Sequence, residues 1–158
     1  MTKAPRPNIL WITTDQQRFD TIGAHGNHAI QTPNIDRLVA EGMSMMNTYC
    51  QSPICTPSRA SFMTGRYPAS HHVHRNGNDH FPSTETILPR MLVDSGGYHT
   101  GLIGKHHLSR SENRIELIPE DGYEYAALCD CWPIGRAYDD WLTKKHGIKD
   151  PQIGRAHV

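Results

Sequence analysis

The most constraining feature of the chain is a short, unbroken apolar run near its start. Residues 8–12 read Asn-Ile-Leu-Trp-Ile and give way at once to Thr13-Thr14-Asp15-Gln16-Gln17. A run this short, without alternation, predicts a strand buried on both faces, as in a parallel sheet covered by helices on each side. Asp15 then stands at its C-terminal end. Thr32-Pro33 predicts a helix start by capping and by the fixed φ of proline. Ile35, Leu38 and Val39 share one face of that helix, and Gly42 ends it. Residues 43–50 predict a second strand. Pro57 to Thr64 predicts a short helix with Pro57 at its first position, Phe62 and Met63 inward, and Gly65 closing it. About Thr84 to Ser95 predicts another, closed by Gly96-Gly97, with Pro89 separating or kinking its first turn. Tyr98 to Ile103 predicts a third strand running into Gly104-Lys105. Strands alternating with helices predict an α/β fold built on a mostly parallel sheet. Beyond about residue 109 the pattern weakens and predicts no definite element.

Composition narrows the function classes. A length of 158 residues suits one domain at most. Sixteen Lys+Arg balance sixteen Asp+Glu, which argues against a nucleic-acid arm or a polybasic membrane anchor. A neutral chain with 37% hydrophobic residues is too apolar for disorder. No apolar run approaches the roughly 18 residues of a spanning helix. The run Ile9–Ile12 is also shorter than the about 7–15 residues of a secretory core segment. The four cysteines, Cys50, Cys55, Cys129 and Cys131, are too sparse for a disulfide framework. The expectation is a cytoplasmic protein with no nucleic-acid and no membrane partner.

The residues that carry chemistry begin at Pro53-Ile54-Cys55-Thr56-Pro57-Ser58-Arg59-Ala60-Ser61-Phe62-Met63-Thr64-Gly65. Cys55 falls at or just before a helix N-terminus, where unpaired N–H groups and the helix dipole favour an anion and a thiolate. Arg59, four residues on, shares its helical face and offers a planar fork to an oxyanion. A nucleophile beside an anion site is one reading. A cysteine phosphatase loop would need arginine six residues after the cysteine, and position 61 is Ser. On these residues alone, a buried cysteine beside a surface arginine is the simpler reading.

The whole segment, however, resembles the signature of the type I sulfatases, Cys-x-Pro-x-Arg. The resemblance implies that Cys55 is oxidised to formylglycine by a formylglycine-generating or sulfatase-maturing enzyme. Pro57 and Arg59 would belong to the sequence that enzyme reads, and Arg59 would hold the hydrated aldehyde in its ionised form. Gly97-Tyr98-His99-Thr100-Gly101-Leu102-Ile103-Gly104-Lys105-His106-His107-Leu108 resembles the family's second signature, Gly-Tyr-x-Thr followed by Gly-Lys-x-His. It implies that Lys105 contacts the nucleophile and a sulfate oxygen, and that His107 hydrogen-bonds the formylglycine hydroxyl. Asn8-Ile-Leu-Trp-Ile-Thr-Thr-Asp15-Gln16 is similar to the family's first strand and metal-binding end. It implies Asp15, Gln16 and the modified Cys55 as ligands of calcium or another divalent cation. Oxygen donors suit such a hard ion, and the neutral Gln16 lowers the site's charge relative to Asp-Asp relatives.

The fold so implied is alkaline-phosphatase- and sulfatase-like, and the activity is hydrolysis of a small-molecule or carbohydrate sulfate ester. Ionised formylglycine hydrate would attack sulfur, and its second hydroxyl would then release sulfate. Relatives place further metal ligands and a leaving-group acid later in the chain, and nothing after His107 matches them. The last residues, Ile153-Gly-Arg-Ala-His-Val158, can be encoded by ATC GGA AGA GCA CAC GTC, the start of a widely used sequencing adapter. The expectation is that residues 1–152 are the incomplete N-terminal part of a catalytic domain and 153–158 a non-native tail. Such a fragment would be inactive and prone to aggregate. The alternatives are a phosphonate or phosphodiester hydrolase of the same superfamily, whose members tend to lack Gly-Lys-x-His, and a non-catalytic metal-binding fragment.

Weaker features remain. His71, His72, His74 and His80 crowd one segment but match no closed zinc pattern. His74, Arg75 and Asn76 are candidate substrate contacts. Cys129-Asp-Cys131 is too tightly spaced for half a zinc site. Cys50 is expected in a strand, and Trp132, Tyr138 and Trp141 in the core.

Overall fold

A computed structural model describes residues 6–76, 81–108, 111–112, 115–116, 122–128 and 136–147. The chain divides into two compact units, Met1–Thr48 and Tyr49–Val158. Cys129, Cys131, Trp132, His80 and the segment 148–158 lie outside the described residues.

In the first unit a 3-10 turn, Gly23–His25, packs against helix α1, Pro33–Glu41. The helix starts where proline predicts, with Pro33 at its first position. Thr32 does not cap it in the expected way. Its hydroxyl donates to Asp36 Oδ1 at 2.7 Å and accepts the Gly23 N–H at 2.8 Å. The other Asp36 bond takes the Ala24 N–H, also at 2.8 Å. Thr32 and Asp36 therefore tie the turn to the helix, and a side chain at Gly23 would meet the Asp36 carboxylate at 2.9 Å.

Two predicted strands are absent from this stretch. Residues 8–12 form no strand, and Leu10 and Ile12 are 85% and 71% exposed. A strand apolar on both faces needs ladder partners and two covering layers, and the described residues provide neither for it. Residues 43–50 likewise form no strand, and Cys50 is exposed rather than packed.

The second unit carries helices α2 (Cys55–Thr64), α3 (Pro68–His71), α4 (Leu88–Gly96) and α5 (Arg136–His146). Strand β1, Gly101–Gly104, pairs in parallel with β4, Tyr125–Leu128, placing Gly101 opposite Tyr125 and Gly104 opposite Leu128. Between them β2 (Ser111–Glu112) and β3 (Ile115–Glu116) form a small antiparallel pair. The predicted third strand is thus present but begins three residues late, and its parallel pairing agrees with the α/β expectation. Helix α4 begins at Leu88, so Pro89 is at its second position, where the missing N–H has no intrahelical partner to lose. Gly97 ends it in the left-handed region, φ 59°.

The core of this unit is Ala60 from α2, Val73 from the loop after α3, Ile87 before α4 and Leu108 after β1, all fully buried. Met63, Phe81 and Tyr123 pack against them. Trp141 departs from expectation: it is 46% exposed, with Lys145 Nζ lying 5.3 Å from its ring centroid. Among the described side chains of α5, its neighbour Leu142 is the buried one. No described helix is long and apolar enough to cross a membrane.

Candidate active site

The site is built on the first turn of α2. The helix starts two residues earlier than predicted, at Cys55, and Pro57 occupies its third position. That shift costs nothing in hydrogen bonds, because the first amides of a helix have no intrahelical acceptor and proline has no N–H. Extended Ile54 precedes the helix and offers no side-chain cap. The cap comes from far along the chain: Asn76 Oδ1 accepts the Thr56 N–H at 2.9 Å. The Ser58 N–H donates to the Ile54 carbonyl at 3.0 Å and opens the helical ladder. Cys55 is half-buried and its sulfur is in no disulfide. Position 55 therefore sits where the helix dipole favours negative charge.

Arg59, one turn on, is 8% exposed rather than a surface residue. Its Nη1 donates to the Lys105 carbonyl oxygen at 2.7 Å. One N–H of the guanidinium fork thus pins α2 to the chain leaving β1, and the two sequence signatures meet there. Strand β1 ends at Gly104, whose φ of 104° a side chain would resist. Lys105, His106, His107 and Leu108 follow. Leu108 and His106 are buried, His106 edge-on to the Tyr123 ring at 5.6 Å between centroids. His107 and Lys105 are half-buried. His107 has φ 57°, a left-handed conformation that few side-chain-bearing residues adopt. A backbone held there by its surroundings is a common mark of functional segments.

The histidine-rich segment resolves into separate roles. His71 is fully buried. Its Nδ1 accepts the Val73 N–H at 3.1 Å, so in the neutral ring Nε2 carries the proton and donates to Ser61 Oγ at 3.0 Å. Burial pushes the His71 pKa down, against the opposing attraction of Glu85. His72, His74 and Arg75 are exposed. Among the described residues no group of three or more His, Cys, Asp or Glu is placed to hold a metal. Both His71 nitrogens are occupied by protein groups, which removes it from any zinc site.

Asp15 and Gln16 lie in the first unit, exposed on a bend rather than at a strand end. Gln16 has φ 51°, also in the left-handed region. Their carboxylate and amide oxygens are the hard donors a calcium-type ion takes, and two of the about six to eight it needs. The donor chemistry therefore fits a divalent cation.

Sequence reasoning singled out Cys55, Arg59 and Lys105 but not the Asn76 cap or the Ser61–His71 bond. Neither has a local signal, since the partners are 20 and 10 residues apart.

Comparison with known proteins extends this picture. The sulfatase family model matches residues 7–149. Steryl-sulfatase of Homo sapiens is 42% identical over 118 residues, covering 68% of this chain and 20% of the relative. The crystal structure of phosphonate monoester hydrolase of Agrobacterium radiobacter aligns with a TM-score of 0.71 and 27% identity, covering 88% of this chain and 29% of that one. A structure solved in complex with its substrate D-glucosamine-2-N,6-O-disulfate aligns with a TM-score of 0.65 and 29% identity, covering 77% of this chain and 23% of that one. The chain spans between a fifth and a third of the lengths of these relatives. The fold is that of the alkaline-phosphatase and sulfatase group, and the chain belongs to the sulfatase family.

Proposed function

We propose that this chain is the N-terminal part of a sulfuric ester hydrolase whose nucleophile derives from Cys55. The observation that best supports the reading is the 2.7 Å bond from Arg59 to the Lys105 carbonyl. It brings the segment bearing the nucleophile against the segment bearing Lys105 and His107. The family relatives support sulfate esters as the substrate class. The substrate of the disulfated glucosamine complex and the name steryl-sulfatase support small-molecule or carbohydrate esters. The maturing enzyme that makes formylglycine is the implied protein partner.

Formylglycine at position 55 would supply a hydrated carbonyl: one oxygen for attack on sulfur as the alcohol departs, and a second hydroxyl whose deprotonation re-forms the carbonyl and breaks the C–O bond to sulfate. Asp15 and Gln16 would hold a divalent cation, which would supply positive charge to offset that of a sulfate group. The chain's own residues do the rest. The start of α2 stabilises negative charge on residue 55 through the helix dipole. Arg59 adds a fixed cation one turn away, its orientation set by the Lys105 carbonyl. The Lys105 ammonium opposes charge that grows on the transferring group. His107 donates a hydrogen bond to the hydroxyl of residue 55 and so orients it. His74 and Arg75, exposed on the loop after α3, contact the remainder of the ester, whereas the side-chain oxygen of Asn76, the third candidate contact, is taken by the Thr56 N–H.

The test is turnover of an aryl sulfate and of an aryl phosphodiester by the matured full-length protein. Preference for the sulfate is expected. A second reading, phosphonate or phosphodiester hydrolysis, is favoured by the TM-score of 0.71 to the phosphonate monoester hydrolase. Gly104-Lys105-His106-His107 weighs against it, and preference for the diester would establish it. Calcium binding without turnover of either substrate would instead mark a non-catalytic metal-binding protein.

A further inference from the structure

We infer that Asn76 is a positioning residue for position 55, acting through the Thr56 amide, as part of a loop that sets the start of α2. The inference rests on the reading that residue 55 carries the nucleophile. Three observations carry it.

The first turn of α2 has no cap of its own, since Ile54 has no polar side chain and isoleucine is among the poorest N-cap residues. Thr56 is nearly buried, at 3% exposure, so its N–H needs a protein acceptor. Asn76 provides it from 20 residues away, at 2.9 Å.

The loop that carries Asn76 is itself fixed. His71 closes α3 and holds Ser61, near the far end of α2, through a buried hydrogen bond. Val73 is fully buried in the core. The segment 71–76 thus grips α2 at residues 56 and 61 while being anchored between those grips.

The bond at Thr56 is distinct from the bond at Arg59, whose Nη1 donates to the Lys105 carbonyl on the segment after β1. Losing the Asn76 acceptor removes the first while leaving in place the Arg59 and Lys105 groups proposed to act on sulfate. An uncharged acceptor also has a reason here. A carboxylate could take the same N–H, but it would set a negative charge beside the place where an anionic ester must sit.

These features give a signature that a merely stabilising contact would not produce. In the matured full-length enzyme, Asn76→Ala is expected to lower kcat for an aryl sulfate about 10- to 100-fold with KM little changed. The Thr56 amide should lose hydrogen–deuterium exchange protection in the same variant. Asn76→Asp keeps the acceptor, so protection and kcat should stay near wild type while KM rises. Should Asn76→Ala fail to fold, Asn76→Leu, of similar size and without an acceptor, serves the same comparison.

Unchanged Thr56 exchange in the variants lacking an acceptor would overturn the inference. So would an aspartate variant that loses kcat as they do. Wild-type enzyme that carries the aldehyde but turns over no sulfate ester would overturn the functional reading alone. Loss of Thr56 protection in Asn76→Ala would then still sustain the grip on α2.

Discussion

The start of α2 and the run Asn8–Ile12 are both signature segments of the family, yet the structure treats them differently. The helix start is fully furnished from within its own unit. Asn76 takes its amide, Arg59 ties it to the Lys105 carbonyl, and His71 holds Ser61. The apolar run has no ladder and leaves Ile9, Leu10, Trp11 and Ile12 each more than half exposed. The difference is one of interaction range. A helix satisfies its backbone locally and needs a few side-chain anchors, whereas a two-faced strand needs neighbours on both edges and layers on both faces.

The largest effect concerns the furnished region. Cys55→Ser in the matured full-length protein should lower sulfate ester turnover about 10³-fold or more while leaving the thermal midpoint near wild type. A small loss would break the comparison, because the well-built helix start would then serve no chemistry.

The next test exchanges context. In the 158-residue chain alone, Leu10→Glu should change stability by no more than about 0.5 kcal/mol and should reduce aggregation. In the full-length protein the same change should cost about 3 kcal/mol or more if the run becomes a buried strand. Denaturant titration of both proteins checks this, and equal small effects would show that the run is never buried.

Arg59→Ala removes the buried donor to the Lys105 carbonyl, with an expected cost of about 1–3 kcal/mol. Arg59→Lys should recover little, because an ammonium cannot reproduce the planar fork. Urea melts of the two variants measure both.

The smallest effects are pH dependences of opposite sign. The folded-state pKa of buried His71 lies below the ordinary histidine value of 6.5. The unfolded chain then binds more protons, so this contribution is complete above about pH 6.5 and declines as pH falls from there. Ser61→Ala, which deletes its hydrogen-bond partner, should cost about 1 kcal/mol at neutral pH. The exposed His99 pairs with Glu124 at 2.5 Å, and that hydrogen bond and charge raise its pKa above 6.5. Its contribution is complete below about pH 6.5 and is lost as pH rises through the raised value, and salt weakens it. Stability-versus-pH curves of His71→Gln and His99→Gln should diverge from wild type on opposite limbs.

The fold was legible where its signals are local. Pro33 marked the start of α1, Gly65 and Gly97 marked helix ends, and Gly101–Gly104 was read as part of a parallel strand. The start of α2 was misplaced because proline is allowed anywhere in the first turn, not only at its first position. The strand expected at 8–12 was misplaced for the opposite reason: its pattern states what it needs, not whether the chain supplies it. At the candidate site, Cys55, Arg59 and Lys105 were singled out through signature spacing. The contact that joins them runs through the Lys105 backbone carbonyl, which no residue type reveals. Asn76 drew notice as a candidate substrate contact and His71 as one of a histidine cluster, but their bonds to α2 required the folded loop.

The most direct measurement is the mass of the peptide bearing residue 55, taken from full-length protein that is hydrolysing a sulfate ester. An aldehyde in place of the thiol is the expected result, with turnover proportional to its occupancy. An unmodified cysteine in active protein would contradict the proposed chemistry at its first step.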